Sequence, residues 1–113
     1  MSYEQQAALL KAMGHPVRLQ ILNILRHGET CMCHLEKTVG RRQAYVSQQL
    51  MLLRQHELVE RRQVGVYSFY RISNAHVMKL LEAACDPVEL NGLRARDDCT
   101  CGVCEMLRMR DRA

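Results

Sequence analysis

The chain has 113 residues, of which 48% are hydrophobic and 25% charged, with a formal net charge of +4 and six cysteines. This length suits one domain with a small core, because a compact chain of this size buries roughly 65% of its unfolded surface. No apolar run is long enough to span a bilayer and no cationic start precedes an apolar segment, so we expect a cytoplasmic protein with no membrane partner. In that reducing compartment, cysteines serve metal binding or redox chemistry more often than structural disulfides.

Two helices are predicted at the start of the chain. The first covers Tyr3–Met13 and carries a stripe of apolar side chains suited to packing, within the chain or against a second copy of it. Pro16 fits the first position of the second helix, which ends just before Gly28. His15 and His27 lie at the helix boundaries, where capping or solvent exposure is the usual role, so we assign neither to a metal.

Cys31 and Cys33 stand two residues apart in the next stretch. Thr30 is a good N-cap, so the pattern predicts a third helix whose first turn contains both cysteines. The amides at a helix start favour thiolates, and thiolates bind soft ions such as zinc, cadmium, lead, copper(I) and trivalent arsenic. The alternative is a pair of small buried residues, but residues two apart on a helix cannot both face the core. One ion bound to both sulfurs would therefore have to unwind or tilt that first turn.

The most basic part of the chain runs from Arg41 to Arg71. It holds six arginines and two glutamates, a net charge of +4 that equals the net charge of the whole chain. Between Arg42 and His56, apolar residues recur at helical spacing and donor-rich polar side chains fill the outer face. A solvated face is the alternative for any charge run, but a helix of this kind also fits a DNA major groove.

A β-hairpin is predicted directly after this helix. Strands over Leu58–Gln63 and Val66–Ile72 are rich in Val, Tyr and Phe, and Val64 and Gly65 between them suit a tight turn. The arginine pair before that turn suits contact with phosphates beside the groove. The side chains expected to contact bases or the groove are Arg42, Gln43, Tyr45, Ser47, Gln48 and Gln49. The expected phosphate contacts are Arg41, Arg54, Arg61 and Arg62.

Asn74 predicts the cap of a fifth helix over Ala75–Cys85. The helix ends before an Asp-Pro pair, so we divide the chain into a folded domain over residues 1–85 and a tail over residues 86–113. The tail has mixed charge and no long apolar periodicity, which also allows it to be disordered.

The tail nevertheless contains Cys99, Cys101 and Cys104. Three thiols are one ligand short of a tetrahedral zinc site. They either complete a site with Cys31 and Cys33, within one chain or between two, or hold a three-coordinate ion by themselves.

Several motifs in this sequence resemble the ArsR-type (ArsR/SmtB) winged-helix repressors. These are His15-Pro16-Val17-Arg18-Leu19, Gln43-Ala44-Tyr45-Val46-Ser47, Leu53-Arg54 and Arg61-Arg62-x-x-Gly65. The resemblance covers roughly Leu9 to Cys85 and implies a mainly helical winged helix-turn-helix with a two-stranded wing. It also implies that residues 1–85 bind operator DNA and form a homodimer through their first and last helices.

Cys31-x-Cys33 is similar to the inducer site of the arsenic- and cadmium-responsive branch of that family. Several positions depart from the family pattern, among them the following two. Glu36 stands where a third cysteine is sometimes present, and Glu57 stands where a glycine usually ends the recognition helix.

The sequence therefore predicts a homodimeric DNA-binding repressor rather than an enzyme. We expect it to leave its operator when a thiophilic ion, arsenite first and then cadmium, lead or zinc, binds cysteine thiolates. The candidate ligands are Cys31, Cys33, Cys99, Cys101 and Cys104. Two alternatives stay open: a redox- or persulfide-sensing repressor of the same fold, and a metal-carrying or thiol oxidoreductase protein that uses Cys101-x2-Cys104.

Overall fold

The computed structural model describes residues 1–88 and 102–112. Within these ranges, six helices accompany an antiparallel sheet with the strand order β1-β3-β2. The elements are α1 Tyr3–Met13, α2 Pro16–Leu25, β1 Thr30–Cys31, α3 Met32–Val39, α4 Gln43–Gln55, β2 Val59–Val64, β3 Tyr67–Ile72, α5 Ala75–Ala84 and α6 Gly102–Arg112. This architecture confirms the predicted winged-helix fold. None of the described helices is long and apolar enough to cross a membrane.

Side-chain caps determine where three of the helices begin. Before α1, the Ser2 hydroxyl accepts a hydrogen bond from the Gln5 amide while the Gln5 side chain accepts one from the Ser2 amide. At the start of α2, Nδ1 of His15 accepts a hydrogen bond from the Val17 amide at 3.2 Å. Asn74 accepts a similar bond in the first turn of α5. The predicted starts of these three helices and the capping role of His15 are therefore confirmed.

One hydrophobic core joins the helices to the sheet. Its fully buried side chains include Ile21, Leu22, Leu35, Leu50, Leu53, Leu81 and Leu107. Helix α1 contributes Leu9, Ala12 and Met13, whereas the apolar side chain of Leu10 is 55% exposed. The core therefore covers one side of α1 and leaves Leu10 on the other, where a second copy of the chain could cover it.

Arg26 fixes the end of α5 against α2. Its Nη1 donates to the carbonyls of Leu81 at 3.0 Å and Cys85 at 3.4 Å, and its Nη2 donates to the Asp86 carbonyl at 3.3 Å. Asn23 donates to the same Asp86 carbonyl at 2.7 Å. The carbonyls of Cys85 and Asp86 follow the helix and have no partner within it, so these bonds stabilise the end of α5 against α2.

The strand β1 differs from the predicted start of the third helix. Thr30 and Cys31 are not inside a helical turn; they pair with Tyr70 and Phe69 of β3. Both side chains are buried, and a buried β-branched residue packs well on a sheet. Helix α3 therefore begins at Met32 with Cys31 as its N-cap, and the wing sheet has three strands instead of two.

The hairpin turn lies one residue later than predicted. Gly65 and Val66 form it, and Gly65 has a φ of 59°, which favours glycine. Val64, expected in the turn, ends β2 and pairs with Tyr67. The shift follows because the glycine takes the first turn position and the β-branched Val64 stays in the strand.

The tail contains helix α6, although its sequence predicts no regular structure. Cys104 and Leu107 stand three residues apart on one side of this helix, and both are fully buried in the common core. Most other described side chains of α6 are exposed or half-buried, so the apolar pattern is short and easily missed. The boundary at residue 85 stays a prediction.

Glu57 ends α4 in the left-handed conformation, with a φ of 61°. The Leu58 amide donates to the Leu53 carbonyl at 3.0 Å, and the Glu57 amide donates to the Arg54 carbonyl at 3.0 Å. This is the Schellman pattern of a helix end, which usually places glycine at this position. The chain thus makes the helix end without glycine, at a steric cost.

Glu57→Gly should raise the free energy of unfolding by about 1 kcal/mol, because glycine adopts positive φ without that cost. Thermal unfolding followed by circular dichroism should show a melting temperature about 4 °C higher. Glu57→Ala is the matched control, since it removes the same carboxylate but keeps the strain. An equal gain in both variants would assign the effect to charge instead of backbone conformation.

Candidate functional site

Cys31, Cys33 and His34 form a thiol–imidazole cluster where β1 meets α3. The two Sγ atoms are 2.8 Å apart, and Nδ1 of His34 lies 2.7 Å from the Cys31 sulfur and 3.7 Å from the Cys33 sulfur. All three possible ligand atoms lie within 4.8 Å of one another. Cys31 and His34 are buried and Cys33 is half-buried.

The backbone explains why the two sulfurs converge. Cys31 has φ −76° and ψ 154°, so it is extended and lies just outside the helix, while Cys33 lies in the first helical turn. The rule that residues two apart on a helix diverge applies only when both are helical. The prediction that an ion must unwind this turn to reach both sulfurs is therefore wrong, because the arrangement is already present.

Helix α6 brings Cys104 to the same place. Its sulfur lies 3.3 Å from Nε2 of His34, on a side chain that is fully buried. Cys99 and Cys101 lie outside the described residues. Cys85, the C-cap of α5, is half-buried and is not part of the thiol–imidazole cluster.

His34 is the cluster member that the sequence reasoning missed. It stands three residues after Cys31, a spacing that places two side chains on the same side of a helix start. The run Cys31-Met32-Cys33-His34 contained this signal, but only cysteines were considered.

The donor set is suited to thiophilic ions. Two sulfurs and an imidazole nitrogen suit zinc and cadmium, and additional thiolates suit lead and trivalent arsenic. The burial of Cys31 and His34 keeps competing water away from these donors.

A cavity of about 240 Å³ lies beside Cys31 and Cys33, next to the basic helix α4 and the hairpin. It lies between α3, α4 and the hairpin. Its lining residues include Cys31, Cys33, Gln43, Ser47, Arg61 and Tyr67. The two thiols therefore face the same space as side chains of α4 and of the hairpin.

Most of the side chains predicted to contact DNA, on α4 and in the two residues before it, are exposed to solvent. The exposed ones are Arg41, Arg42, Gln43, Ser47, Gln48 and Arg54. Tyr45 is half-buried, and the guanidinium of Arg41 lies 5.4 Å from its ring centroid, in cation–π contact.

Gln49 is a correction to the predicted outer face. It is only 7% exposed, and its Oε1 accepts a hydrogen bond from Nη1 of Arg18 at 3.2 Å. Arg18 in turn donates to the Ala12 carbonyl at 2.6 Å. Gln49 therefore joins α4 to α2 and to the end of α1, and we leave it out of the proposed DNA surface.

The arginines of the hairpin differ in their partners. Arg62 forms an ion pair with Glu29 at 2.6 Å, and Arg71 forms one with Glu60 at 2.8 Å. The hydrogen bonds to these carboxylates raise the pKa of both guanidinium groups above the ordinary value. Arg61 is exposed and makes no ion pair within residues 1–88 and 102–112.

Comparison with known proteins identifies the family. The model of the arsR family of bacterial regulatory proteins matches residues 15–61, which include α2, α3 and α4. The arsenical resistance operon repressor of Staphylococcus xylosus is 34% identical over 74 residues, which cover 66% of this chain and 71% of that repressor. The chain belongs to the ArsR family. Membership of a family of regulatory proteins agrees with the expectation that the chain is not an enzyme.

Further proteins match over a similar range. The transcriptional repressor SmtB homolog of Synechocystis is 33% identical over 86 residues, 76% of this chain and 65% of that protein. The chain thus spans about two thirds of the length of these curated relatives. The homodimeric winged helix-turn-helix DNA-binding domain of Mycobacterium bovis matches with a TM-score of 0.65 and 32% identity, over 71% of this chain and 74% of that domain.

Adjacent glutamines on α4 should respond differently to truncation. Gln49→Ala should lower the free energy of unfolding by about 1 kcal/mol, because it leaves Arg18 without its buried acceptor. Gln48→Ala removes the same group from an exposed site and should stay within about 0.5 kcal/mol of the wild type. Urea denaturation of both variants measures this difference. Equal stability of the two variants would mean that the Arg18–Gln49 bond contributes nothing.

Proposed function

We propose that the chain is a homodimeric transcriptional repressor that holds operator DNA and releases it when a thiophilic ion binds at Cys31 and Cys33. The observation that carries this proposal is the position of Cys31. It is at once the last residue of a strand of the wing sheet and the N-cap of the helix that packs against α4. An ion bound to its sulfur therefore acts on α4 through α3, and on the hairpin through the wing sheet.

The proposed DNA surface combines α4 with the hairpin. Exposed Gln43, Ser47 and Gln48 are suited to base edges in a major groove. The proposed further groove and phosphate contacts are Arg41, Arg42, Tyr45, Arg54, Arg61 and Arg62. Two copies would read two half-sites at a fixed spacing, and the homodimeric neighbour of known structure supports this assembly.

The proposed inducer is arsenite, followed by cadmium, lead and zinc. Three sulfurs can satisfy trivalent arsenic or lead. Cys31 and Cys33 lie beside Nδ1 of His34 and Cys104 lies beside Nε2, so an ion at the first two sulfurs would draw Cys104 towards them. Cys99 and Cys101 are the proposed additional donors. The name of the Staphylococcus xylosus relative, an arsenical resistance operon repressor, supports arsenic as the first candidate.

Release follows from the rigid connections of the site. Cys31 and Cys33 would hold the ion between β1 and the first turn of α3, and Cys104 would draw α6 towards them. Since α3 packs on α4 and β1 pairs with β3, a small displacement at the sulfurs changes the angle between α4 and the hairpin. A dimer that needs both halves at one spacing would then lose affinity.

A redox- or persulfide-sensing repressor of the same fold is the second candidate. The gathering of three sulfur atoms around His34 favours it, because neighbouring thiols can be cross-linked by oxidation. The carrier or oxidoreductase alternative has no support from a family of regulatory proteins. Release of DNA by arsenite under full reduction separates the metal sensor from the redox sensor.

The double variant Cys31→Ser, Cys33→Ser should bind operator DNA as the wild type does but should not release it with arsenite, because a hydroxyl is a poor ligand for a soft ion. Fluorescence anisotropy of a labelled promoter fragment, titrated with arsenite in reductant, measures this. Cys85→Ser, outside the cluster, is the control and should release normally. Release of the double variant at the wild-type dose would overturn the proposed site.

Arg61→Ala should weaken binding about equally for every DNA sequence, because a phosphate contact carries no base information. The plot of log K against log salt has a negative slope, and the magnitude of that slope should decrease by about 0.9 for the one lost contact. The exposed Arg112→Ala in α6 serves as the control for loss of one positive charge. A changed preference among operator variants would instead make Arg61 a base-reading residue.

A further inference from the structure

A row of paired residues crosses the wing sheet from the proposed inducer site to the hairpin. Cys31 of β1 is the Cα partner of Phe69 on β3, and Phe69 is the Cα partner of Arg62 on β2. The guanidinium of Arg62 lies 4.7 Å from the centroid of the Phe69 ring. Directly paired residues of an antiparallel sheet are in side-chain contact distance, so one strand separates the Cys31 position from Arg62.

Glu29 joins the same two places from the side. It stands two residues before Cys31, and its carboxylate accepts two hydrogen bonds from Arg62, from Nη2 at 2.6 Å and from Nε at 3.2 Å. The side chain of Glu29 is 30% exposed and that of Arg62 is 54% exposed. This bidentate contact has the geometry that Arg also uses for a DNA phosphate.

The second ion pair of the wing has a different connection. Arg71 and Glu60 are Cα partners in β3 and β2, so their ion pair lies within the hairpin and moves with it. The Glu29–Arg62 pair instead connects the hairpin to the segment that leads into β1. Of the two pairs, only the Glu29–Arg62 pair changes length if β1 shifts relative to β2.

We propose that Glu29 competes with DNA phosphate for Arg62, and that ligation of Cys31 strengthens the hold of Glu29 and withdraws Arg62 from DNA. The coupling to the ion rests on the proposed function. The competition rests only on the DNA-contact part of that function, because it needs DNA and the two side chains but no ion. An exposed ion pair contributes little stability, so a phosphate can displace Glu29 when the sulfurs carry no ion.

The competition is tested by a double-mutant cycle without any ion. The probe is a random-sequence duplex at low salt, since phosphate contacts do not depend on sequence. Glu29→Gln should raise affinity by about three- to fivefold, because it keeps the side-chain shape and removes the competing charge. In the Arg62→Ala background the same change should alter affinity less than twofold.

Glu60→Gln is the matched control, since it removes the same charge from the other ion pair of the hairpin. If Glu29→Gln raises affinity equally with and without Arg62, or no more than Glu60→Gln does, the effect is net charge and the competition is refuted. Circular dichroism of each variant checks that the exposed substitutions leave the fold intact.

The coupling is tested by the ratio of DNA affinity without and with arsenite. This ratio should fall by about threefold or more in Glu29→Gln and stay unchanged in Glu60→Gln. An unchanged ratio in Glu29→Gln, with normal arsenite binding followed by thiolate absorption, would refute the coupling alone. If arsenite releases no DNA from the wild type, the proposed function fails, while the ion-free cycle still decides whether Glu29 competes for Arg62.

Discussion

The structure depends on a junction of two residues that belong to two kinds of secondary structure. Thr30 and Cys31 are extended and paired with β3, and the next residue begins α3. Their buried side chains hold this backbone in place. Because Cys31 lies outside the helix while Cys33 and His34 lie inside it, the side chains converge without distorting a turn. The candidate site therefore holds its donors side by side before any ion binds.

Two rigid connections lead from this junction to the proposed DNA surface. One passes from α3 to α4 through packed side chains, and the other passes from β1 through β3 to the hairpin. A displacement at the junction would act on α4 and on the hairpin by different paths, and therefore changes the angle between them. DNA recognition by this fold depends on that angle, since the helix enters the groove while the wing contacts the neighbouring backbone.

Local sequence signals predicted much of the fold, and non-local contacts account for what they missed. The caps of His15 and Asn74 and the periodicity of α4 act within a few residues, so their helices were placed nearly correctly. Strand β1 has two residues and exists only because Phe69 and Tyr70 of β3, 38 and 40 positions after their partners Cys31 and Thr30, pair with it. No local pattern can report such a partner.

The same contrast between local sequence signals and non-local contacts applies to the side chains of the candidate site. Cys31 and Cys33 were predicted from thiol chemistry, whereas their geometry depended on the unexpected strand. Gln49 was assigned to the outer face because it is polar, but Arg18 supplies a buried partner from another helix. Composition alone does not distinguish a solvated glutamine from one that joins two helices.

Helix α6 brings a sulfur to the candidate site from outside the part of the chain that carries the proposed DNA surface. The family match covers residues 15–61, yet Cys104 reaches His34 across 70 positions of the sequence. Closing so long a separation costs little more entropy than closing a shorter one. Arg26 and Asn23 fix the exit of the tail from α5, and burial of Leu107 fixes α6 to the core. The number of proposed sulfur donors can therefore change through the tail while α4 and the hairpin stay the same, so the proposed ion site and the proposed DNA surface can vary independently.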